Sequence, residues 1–410
     1  VIDHVGNLSQ LPRLQFDGVI HMTELTMNIS KHIIDDSVKL HLKTIEMLNK
    51  HNKKHQHVFP FMNEKTKEQM SSMIRGYGYD KWIIINEYIK FKFIPNGHVS
   101  GSASIILEVK DGYDIKRLLF GGDTSCDRYM PYTKKLDLSD KNYKFTDIVL
   151  ESTYGDNYVK PKSVDEMIEQ LHDNIVETCI DKNGKYLLPV FSFARSTNVM
   201  LYLKKTFEKY PELKKIKIYA MSPLMCKIHR EISLGEEFYD DEWRSEMDLF
   251  NWSQITMISE FKDVERIINK DESMIILASS GMSTHGVNNL VLPTILKSRK
   301  NKVSFTGFLA DGTEGSLIIN NKQKQIITYR DGIKETIIIR AKTDMFTGLS
   351  SHASGIEIIE SLSTVEKKKV KNIIVQHGDD SQCLGFAKML GKSFPNAKVT
   401  IPKLGQSIVL

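Results

Sequence analysis

Short runs of apolar and β-branched residues recur along this chain, and between them the apolar positions shift to a wider, helical spacing. KFKFIPNG, SIILEV, RLLFGG and DIVLES each read as a strand, followed later by KYLLPVFSF, IKIYAM, SMIILASSG, VSFTGFL, ETIIIRA and NIIVQHG. Several end in Gly, Ser or a charged residue, as strands do when they run into functional loops. Residues 163–180 instead place Met167, Leu171, Ile175 and Cys179 at i+4 spacing, with Ser163 and Glu166 as a capping box. Residues 196–209 and 353–362 repeat that spacing. Strands alternating with helices predict an α/β chain. The charged segment LGEEFYDDEWRSEMD (234–248) reads as a helix or loop on a solvated face rather than a boundary. No internal repeat and no low-complexity tract is evident.

Length and composition narrow this picture. A chain of 410 residues has room for roughly two or three cores of ordinary size. With 41% hydrophobic and 26% charged residues it has the balance of a globular protein rather than a disordered one. The net charge is +5, from 56 basic and 51 acidic side chains, so any basic groove must be local. The basic clusters HNKKHQH (51–57), KSRKNK (297–302) and EKKKVK (366–371) read first as solvated surface, and as the rim of a polyanion groove second. Cys126, Cys179, Cys226 and Cys383 lie far apart with no C-x-x-C pair, which argues against a thiolate zinc site and a disulfide framework and fits a reducing compartment. No apolar stretch approaches the ~18–20 residues of a membrane span, so no membrane partner is expected. Residue 1 is Val rather than Met, and we expect a missing upstream piece.

Candidate chemistry comes from ionisable residues at strand ends. His98 stands in FIPNGHVSGSAS, Asp123 in LLFGGDTSCDR, Glu151 at the end of DIVL, His352 in FTGLSSHASG and His377 at the end of NIIV. Asp3 and His4 sit side by side at the chain start, before a Gly. Taken singly, each reads as a hydrogen-bonded structural residue or a turn residue. As a set they share strand-to-loop junctions with small neighbours. Imidazole and carboxylate without thiolate is the ligand mix of a hydrolytic zinc site, where bound water is acidified towards neutral pH. A carboxylate can also bridge two metals, which suits in-line displacement at a phosphodiester.

In order and spacing the sequence resembles the metallo-β-lactamase superfamily, and within it the β-CASP nucleases. The resemblance rests on Asp3-His4-Val5-Gly6, Gly97-His98 with Gly101-Ser102-Ala103, Gly122-Asp123, Glu151-Ser152-Thr153-Tyr154-Gly155, Ser351-His352-Ala353 and His377-Gly378-Asp379. PVFSFARSTNVMLYL, ASSGMSTHG and FTGFLADGTEG resemble segments of the family's inserted domain, and GVIHMTELTMNI the stretch after its first metal loop. The resemblance implies an αββα sandwich with an inserted α/β cap, divided as 1–157, 158–342 and 343–410, with the N-terminal part of the sandwich missing. It implies two zinc ions. Asp3, His4 and His377 would hold one, His98 would help hold the other, and Asp123 would bridge them. It casts Asp3, Glu151 and His352 as catalytic, with His352 delivering a proton and Glu151 orienting it. Arg195, Ser279, Gly281 and Thr313, in the inserted segments, would contact RNA. A His at position 377, where the DNA-repair branch tends to carry Val, favours RNA.

The expectation is therefore a zinc-dependent hydrolase of single-stranded RNA, acting in the cytoplasm, or in the nucleus if it belongs to 3′-end processing, as a homodimer or beside a paired β-CASP subunit. Departures from the family pattern favour an alternative, an impaired homologue acting as an RNA-binding or scaffold subunit. Val1 stands where the pattern His-x-His-x-Asp-His puts a metal-binding histidine. Ser354 replaces an Asp and is expected to loosen His352. Asn96 and Ala194 replace small residues and are expected to change little. A small-molecule hydrolase is the third reading, disfavoured by the insert of about 200 residues between Glu151 and His352.

Overall fold

The computed structural model describes residues 5–51, 60, 62–126, 132–139, 143–156, 162–241, 249–284, 286–320, 325–330 and 333–410. In chain order the strands are β1 (Ile20–Thr23), β2 (Ile74–Tyr77), β3 (Ile83–Ile84), β4 (Ile89–Pro95), β5 (Ala103–Asp111) and β6 (Asp114–Phe120). Then come β7 (Asp147–Glu151), β8 (Lys185–Pro189), β9 (Lys217–Met221), β10 (Ile255–Ile258), β11 (Met274–Ala278) and β12 (Lys302–Phe305). The last are β13 (Gln325–Arg330), β14 (Ile333–Ile338), β15 (Lys342–Met345), β16 (Asn372–Gln376) and β17 (Lys398–Thr400). The chain divides into two compact units, one of residues 1–160, 235–244 and 351–410, the other of residues 161–234 and 245–350.

The first unit is built on a seven-stranded mixed sheet in the order β17-β16-β7-β6-β5-β4-β3. Strands β3 to β6 pair antiparallel, and β6, β7, β16 and β17 pair parallel. Burial follows the pairing. Along β5 every second residue from Ser104 to Glu108 is buried, whereas β7 is buried at all its positions. Antiparallel strands present one face to the core, and parallel strands are covered on both. Ile106, Leu119, Ile148, Ile373 and Val375 meet Ile358 of the helix Gly355–Ser361 and Phe386 of the helix Asp380–Ser393 in one cluster. A fully buried side chain of this size is worth about 1.5–3 kcal/mol, which lets the cluster hold the strand ends in place.

Strand β1 pairs parallel with β2, and the long helix Glu24–His51 follows β1. Leu25, Ile29 and Ile33, four apart, form its buried stripe. The apolar runs did not announce this helix, because charged and polar residues occupy most of its other positions. The segment 235–244 corrects an expectation. It belongs to the first unit although the chain on both sides belongs to the second. Phe238 and Tyr239 are 2% and 0% exposed. Their rings lie 5.1 Å from Tyr79 and 5.4 Å from Tyr132, which anchors this part, while Glu236, Glu237 and Asp241 are exposed as expected and residues 242–248 lie outside the described residues.

The second unit carries an all-parallel six-stranded sheet in the order β10-β9-β11-β8-β12-β15. Strands β11 and β12 are buried throughout. The capping box is formed: Ser163 Oγ accepts from Glu166 N (3.1 Å) and Glu166 Oε2 accepts from Ser163 N (2.7 Å). The helix Val164–Ile175 and the turn after it bury Met167, Leu171, Ile175 and Cys179. Lys302, read as part of a solvated basic cluster, is 3% exposed. Its ammonium lies 2.9 Å from Asp344 and 2.5 Å from Asn174 Oδ1, so it is a buried, paired charge in β12.

Candidate metal centre

Four strand ends of the first unit converge. The loop after β4 holds Asn96, Gly97 and His98, and Asn96 is 2% exposed. Asn96 Oδ1 accepts from His98 N (3.3 Å) and Ser102 Oγ (2.5 Å), and its Nδ2 donates to Gly121 O (3.3 Å). Its carbonyl accepts from Thr124 Oγ1 (3.0 Å) and Ser125 N (3.1 Å). These bonds tie the His98 loop to the loop carrying Asp123, so Asn96 does more than the minor replacement it was expected to be. Thr124 extends the stitching: its N–H donates to Glu151 Oε1 (2.6 Å), and its carbonyl accepts from Ala353 N (2.7 Å), next to His352. His377, one residue after β16, has φ 56. That left-handed conformation is uncommon outside glycine and clusters at functional sites. Gly378 follows because a Cβ there would collide with the Ser152 carbonyl.

Ligand atoms of Asp123, Glu151, His352 and His377 all lie within 4.8 Å of one another. His352 Nδ1 is 2.7 Å from Glu151 Oε2, and His377 Nδ1 is 3.5 Å from Asp123 Oδ1. His98 Nε2 faces Asp123 Oδ2 at 3.8 Å, while its Nδ1 is 3.1 Å from the Ser351 carbonyl. A carbonyl accepts only, so Nδ1 carries the proton there and Nε2 keeps its lone pair, the arrangement of a metal-binding imidazole. Burial, then the nearby His352, lower the His98 pKa to about 4, which keeps the ring in the neutral form that binds metal. Burial alone would raise the Glu151 carboxyl, but the hydrogen bond from His352, the nearby His377 ring (3.9 Å) and the hydrogen bond from Thr153 hold it down at about 2.

Thr153 was not singled out from the sequence. Its Oγ1 donates to Glu151 Oε2 at 2.6 Å and lies 3.3 Å from His352 Nδ1 and 3.2 Å from His377 Nδ1. The hydroxyl donates to Glu151 and can accept from His377 Nδ1, while the proton on His352 Nδ1 goes to the nearer Glu151 oxygen, so the contact with His352 is secondary. Only the motif Glu151-Ser152-Thr153 hinted at it. Ser354 also departs from expectation. It is 1% exposed and N-caps the helix Gly355–Ser361 in a capping box with Glu357. His352 Nδ1 is held by Glu151 Oε2 at 2.7 Å, and Ser354 bonds to Glu357 instead.

The donor set of His98, Asp123 and His377, beside the Glu151–His352 pair, fits zinc: neutral imidazole and carboxylate, with backbone carbonyl or hydroxyl behind the ligands. Val1, Asp3 and His4 lie outside the described residues. The four residues nominated for RNA contact lie in the second unit. Arg195 opens the helix Arg195–Lys209, and its Nη1 donates to the Leu349 carbonyl. Gly281 packs against Phe191: a Cβ there would meet the ring at 3.1 Å. Ser279 follows β11, and its carbonyl accepts from Asn288 N at 2.6 Å. Thr313 stands at the start of the helix Glu314–Asn320, where its Oγ1 donates to Ala310 O (2.7 Å) and accepts from Ser316 N (3.3 Å), and Gly315 N of the same helix donates to Met282 O, next to Gly281 (3.1 Å).

A mixed sheet with imidazoles and carboxylates at its strand ends, interrupted in the chain by a parallel α/β unit, is the metallo-β-lactamase fold with an inserted domain. The Beta-Casp domain family matches residues 197–318, and the Zn-dependent metallo-hydrolase RNA specificity domain matches residues 336–402. The chain is 30% identical over 321 residues to an RNase J-like protein of Methanocaldococcus jannaschii, covering 75% of this chain and 68% of that protein. It is 26% identical over 402 residues to the transcription termination factor FttA of the same organism, covering 96% of this chain and 59% of that protein. With the Arabidopsis thaliana cleavage and polyadenylation specificity factor subunit 3-I it shares 22% identity over 413 residues, 99% of this chain and 54% of that protein. The chain belongs to the β-CASP family of metallo-β-lactamase-fold hydrolases. It spans a little over half the length of FttA and of the plant factor. Among the described residues, no helix is long and apolar enough to cross a membrane.

Proposed function

We propose that this chain is a zinc-dependent ribonuclease that hydrolyses phosphodiester bonds in single-stranded RNA. The observation that carries this reading is the convergence of His98, Asp123, Glu151 and His377 from four separate strand ends on His352, which stands just before the helix Gly355–Ser361. Asp123, His98 and His377 would hold the metal, with Asp3 and His4 as further candidates and two ions as the full complement. When bound, zinc would acidify a water and offset charge on the attacked phosphate. The chain's own residues do the rest. Glu151 accepts from His352 Nδ1, which fixes the imidazole and leaves proton delivery to the departing oxygen to Nε2. Thr153 holds Glu151 and His377 in one register. RNA as substrate is supported by the match to the RNA specificity domain and by the names of the similar nucleases. Work in the cytoplasm or nucleus, and pairing with a second copy or another β-CASP subunit, belong to the same reading.

Val1, standing at a position where the family pattern has a metal-binding histidine, favours one second reading, an impaired homologue that binds RNA without cutting it. Two measurements decide. Zinc-loaded protein is expected to cut a single-stranded RNA, and His98→Ala or Asp123→Ala to lower the rate by at least about 10²-fold. Undiminished cleavage in both variants would sink the nuclease reading, and a folded chain that retains no zinc supports the impaired homologue.

A further inference from the structure

Two phenylalanines of the second unit stand at the carboxyl ends of β8 and β12, which are neighbours in the parallel sheet. Phe191, two residues after β8, is 37% exposed, and Phe308, three residues after β12, is 76% exposed. Phe305 and Leu309, close to Phe308 in sequence, join the hydrophobic core, whereas neither Phe191 nor Phe308 does. Among the described residues neither ring stacks on another aromatic ring or under a cation. Glycine backbone flanks the Phe191 ring: a Cβ on Gly281 would come within 3.1 Å of its Cδ2 and Cε2, and one on Gly307 within 3.6 Å of its Cε2. That second Cβ would also lie 3.7 Å from Arg195 Nε, and the Arg195 guanidinium is tethered to the Leu349 carbonyl. Two exposed rings and a tethered cation thus share one end of the sheet.

Open parallel sheets bind ligands outside the carboxyl ends of their strands. Rings exposed there, beside a fixed positive charge, have the properties of a platform for unpaired bases. Every base has a π-face to stack, and the guanidinium attracts the phosphates. A packing explanation fails for Phe308, because the core does not use its ring. A purely apolar protein partner would not call for Arg195 close to Gly307 and the Phe191 ring.

We propose that Phe191 and Phe308, with Arg195 close to the Phe191 ring, form a stacking platform for unpaired bases of single-stranded RNA. The identity of the ligand rests on the nuclease reading above. The platform lies wholly in the second unit and binds a base without regard to its sequence, because stacking makes no demand on the base edges.

The test uses the full chain and a fluorescein-labelled, 2′-O-methylated single strand of about a dozen nucleotides, which resists cleavage. A second strand carries 2-aminopurine, and a third has its bases removed. Phe308→Ala is expected to weaken binding of the base-bearing strand by about 5- to 150-fold, the range for loss of one stacked base. Phe308→Trp is expected to restore it. The abasic strand is expected to bind the wild type and Phe308→Ala equally, and quenching of 2-aminopurine to be lost in Phe308→Ala. Because Phe308 is largely exposed, the thermal unfolding midpoint is expected to stay unchanged. Wild-type-like binding and quenching in Phe308→Ala would overturn the platform, as would a Phe308→Ala defect that persists undiminished on the abasic strand. If the wild type meanwhile still cuts RNA with zinc, the platform alone falls. A wild type that neither binds nor cuts RNA removes the nuclease reading and the platform together.

Discussion

Strand ends in the two units are furnished differently. In the first, the loops after β4, β6 and β16 and the last residue of β7 present His98, Asp123, His377 and Glu151. In the second, β8, β11, β12 and β15 run into Val190, Ser279, Thr306 and Phe346, followed by rings, glycines and one arginine. Ionisable groups brought this close must satisfy one another. Glu151 is 2% exposed and takes hydrogen bonds from Thr124 N, Thr153 Oγ1 and His352 Nδ1. An isolated carboxylate could not be buried in this way, because the desolvation cost of an unpaired charge is prohibitive. At the carboxyl ends of the second unit, β8, β11 and β12 close on Pro189, Ala278 and Phe305, and the loops after them offer backbone and ring surfaces. Under the proposed reading, one end would serve chemistry on a bond and the other would hold a chain.

Removing the hydroxyl that knits the first centre should break the contrast most sharply. Thr153→Val keeps the shape but loses one donor and two acceptor sites, and is expected to lower zinc retention or cleavage by about 10- to 100-fold. Thr153→Ser should keep most of both. Quantitative metal analysis on folded protein checks this separately from the assay, and a Val variant with wild-type zinc content and rate would leave Thr153 a packing residue only.

A smaller effect sharpens the contrast from the other side. Glu177 in the second unit accepts hydrogen bonds from Lys342 (2.9 Å) and Lys182 (2.9 Å), which with the Lys302 charge lower its pKa to about 2. A depressed carboxylate contributes its stability above its ordinary value and loses it as pH falls towards the depressed one. The second unit is therefore expected to lose stability between about pH 4.5 and 2, and Glu177→Gln to flatten that dependence. Both lysines are substantially exposed and screened, so the contribution is of order 0.5–1 kcal/mol. Denaturant melts across that pH range measure it, and identical slopes for wild type and variant would refute it.

Ala194 offers a gain of similar size without any pH dependence. Its φ is 59° and ψ −66°, in a tight turn closed by Arg195 N to Phe193 O at 2.7 Å. A side chain is strained in that region and glycine is not. Ala194→Gly is expected to stabilise the chain by about 0.5 kcal/mol in a denaturant melt, the strain relieved (about 1 kcal/mol) being partly offset by the greater freedom of the unfolded glycine. A loss of stability would mean that the Ala194 methyl contributes packing that outweighs the strain.

Much of the fold was legible because burial leaves a period in the sequence. The runs DIVLES and SMIILASSG became strands buried on both faces, and the i+4 series from Met167 became one buried stripe behind its capping box. The helix Glu24–His51 was missed because its apolar stripe is narrow among charges. Lys302, and in part the segment 235–244, misled for a related reason. Charge reads as solvent until a partner is found, and Asp344 is 42 positions away from Lys302. Of the site, the ionisable residues stood out by type and by their place at strand ends. Asn96 and Thr153 did not, because amides and hydroxyls are common in loops and their value depends on which atoms surround them.

By itself, the sequence determined which residues carry imidazole and carboxylate, that they terminate apolar runs, and that a long α/β insert separates Glu151 from His352. Those are local properties, written in residue type and spacing. Only the tertiary structure decided that His98 is anchored through Nδ1 to Ser351, that Glu151 Oε2 holds His352 Nδ1, and that Thr153 joins Glu151 to His377. It also decided that Phe191 and Phe308 share one end of the parallel sheet. These relations join residues tens to hundreds of positions apart. Their physical basis is the close packing of strand ends around buried polar atoms, each of which must find a partner there.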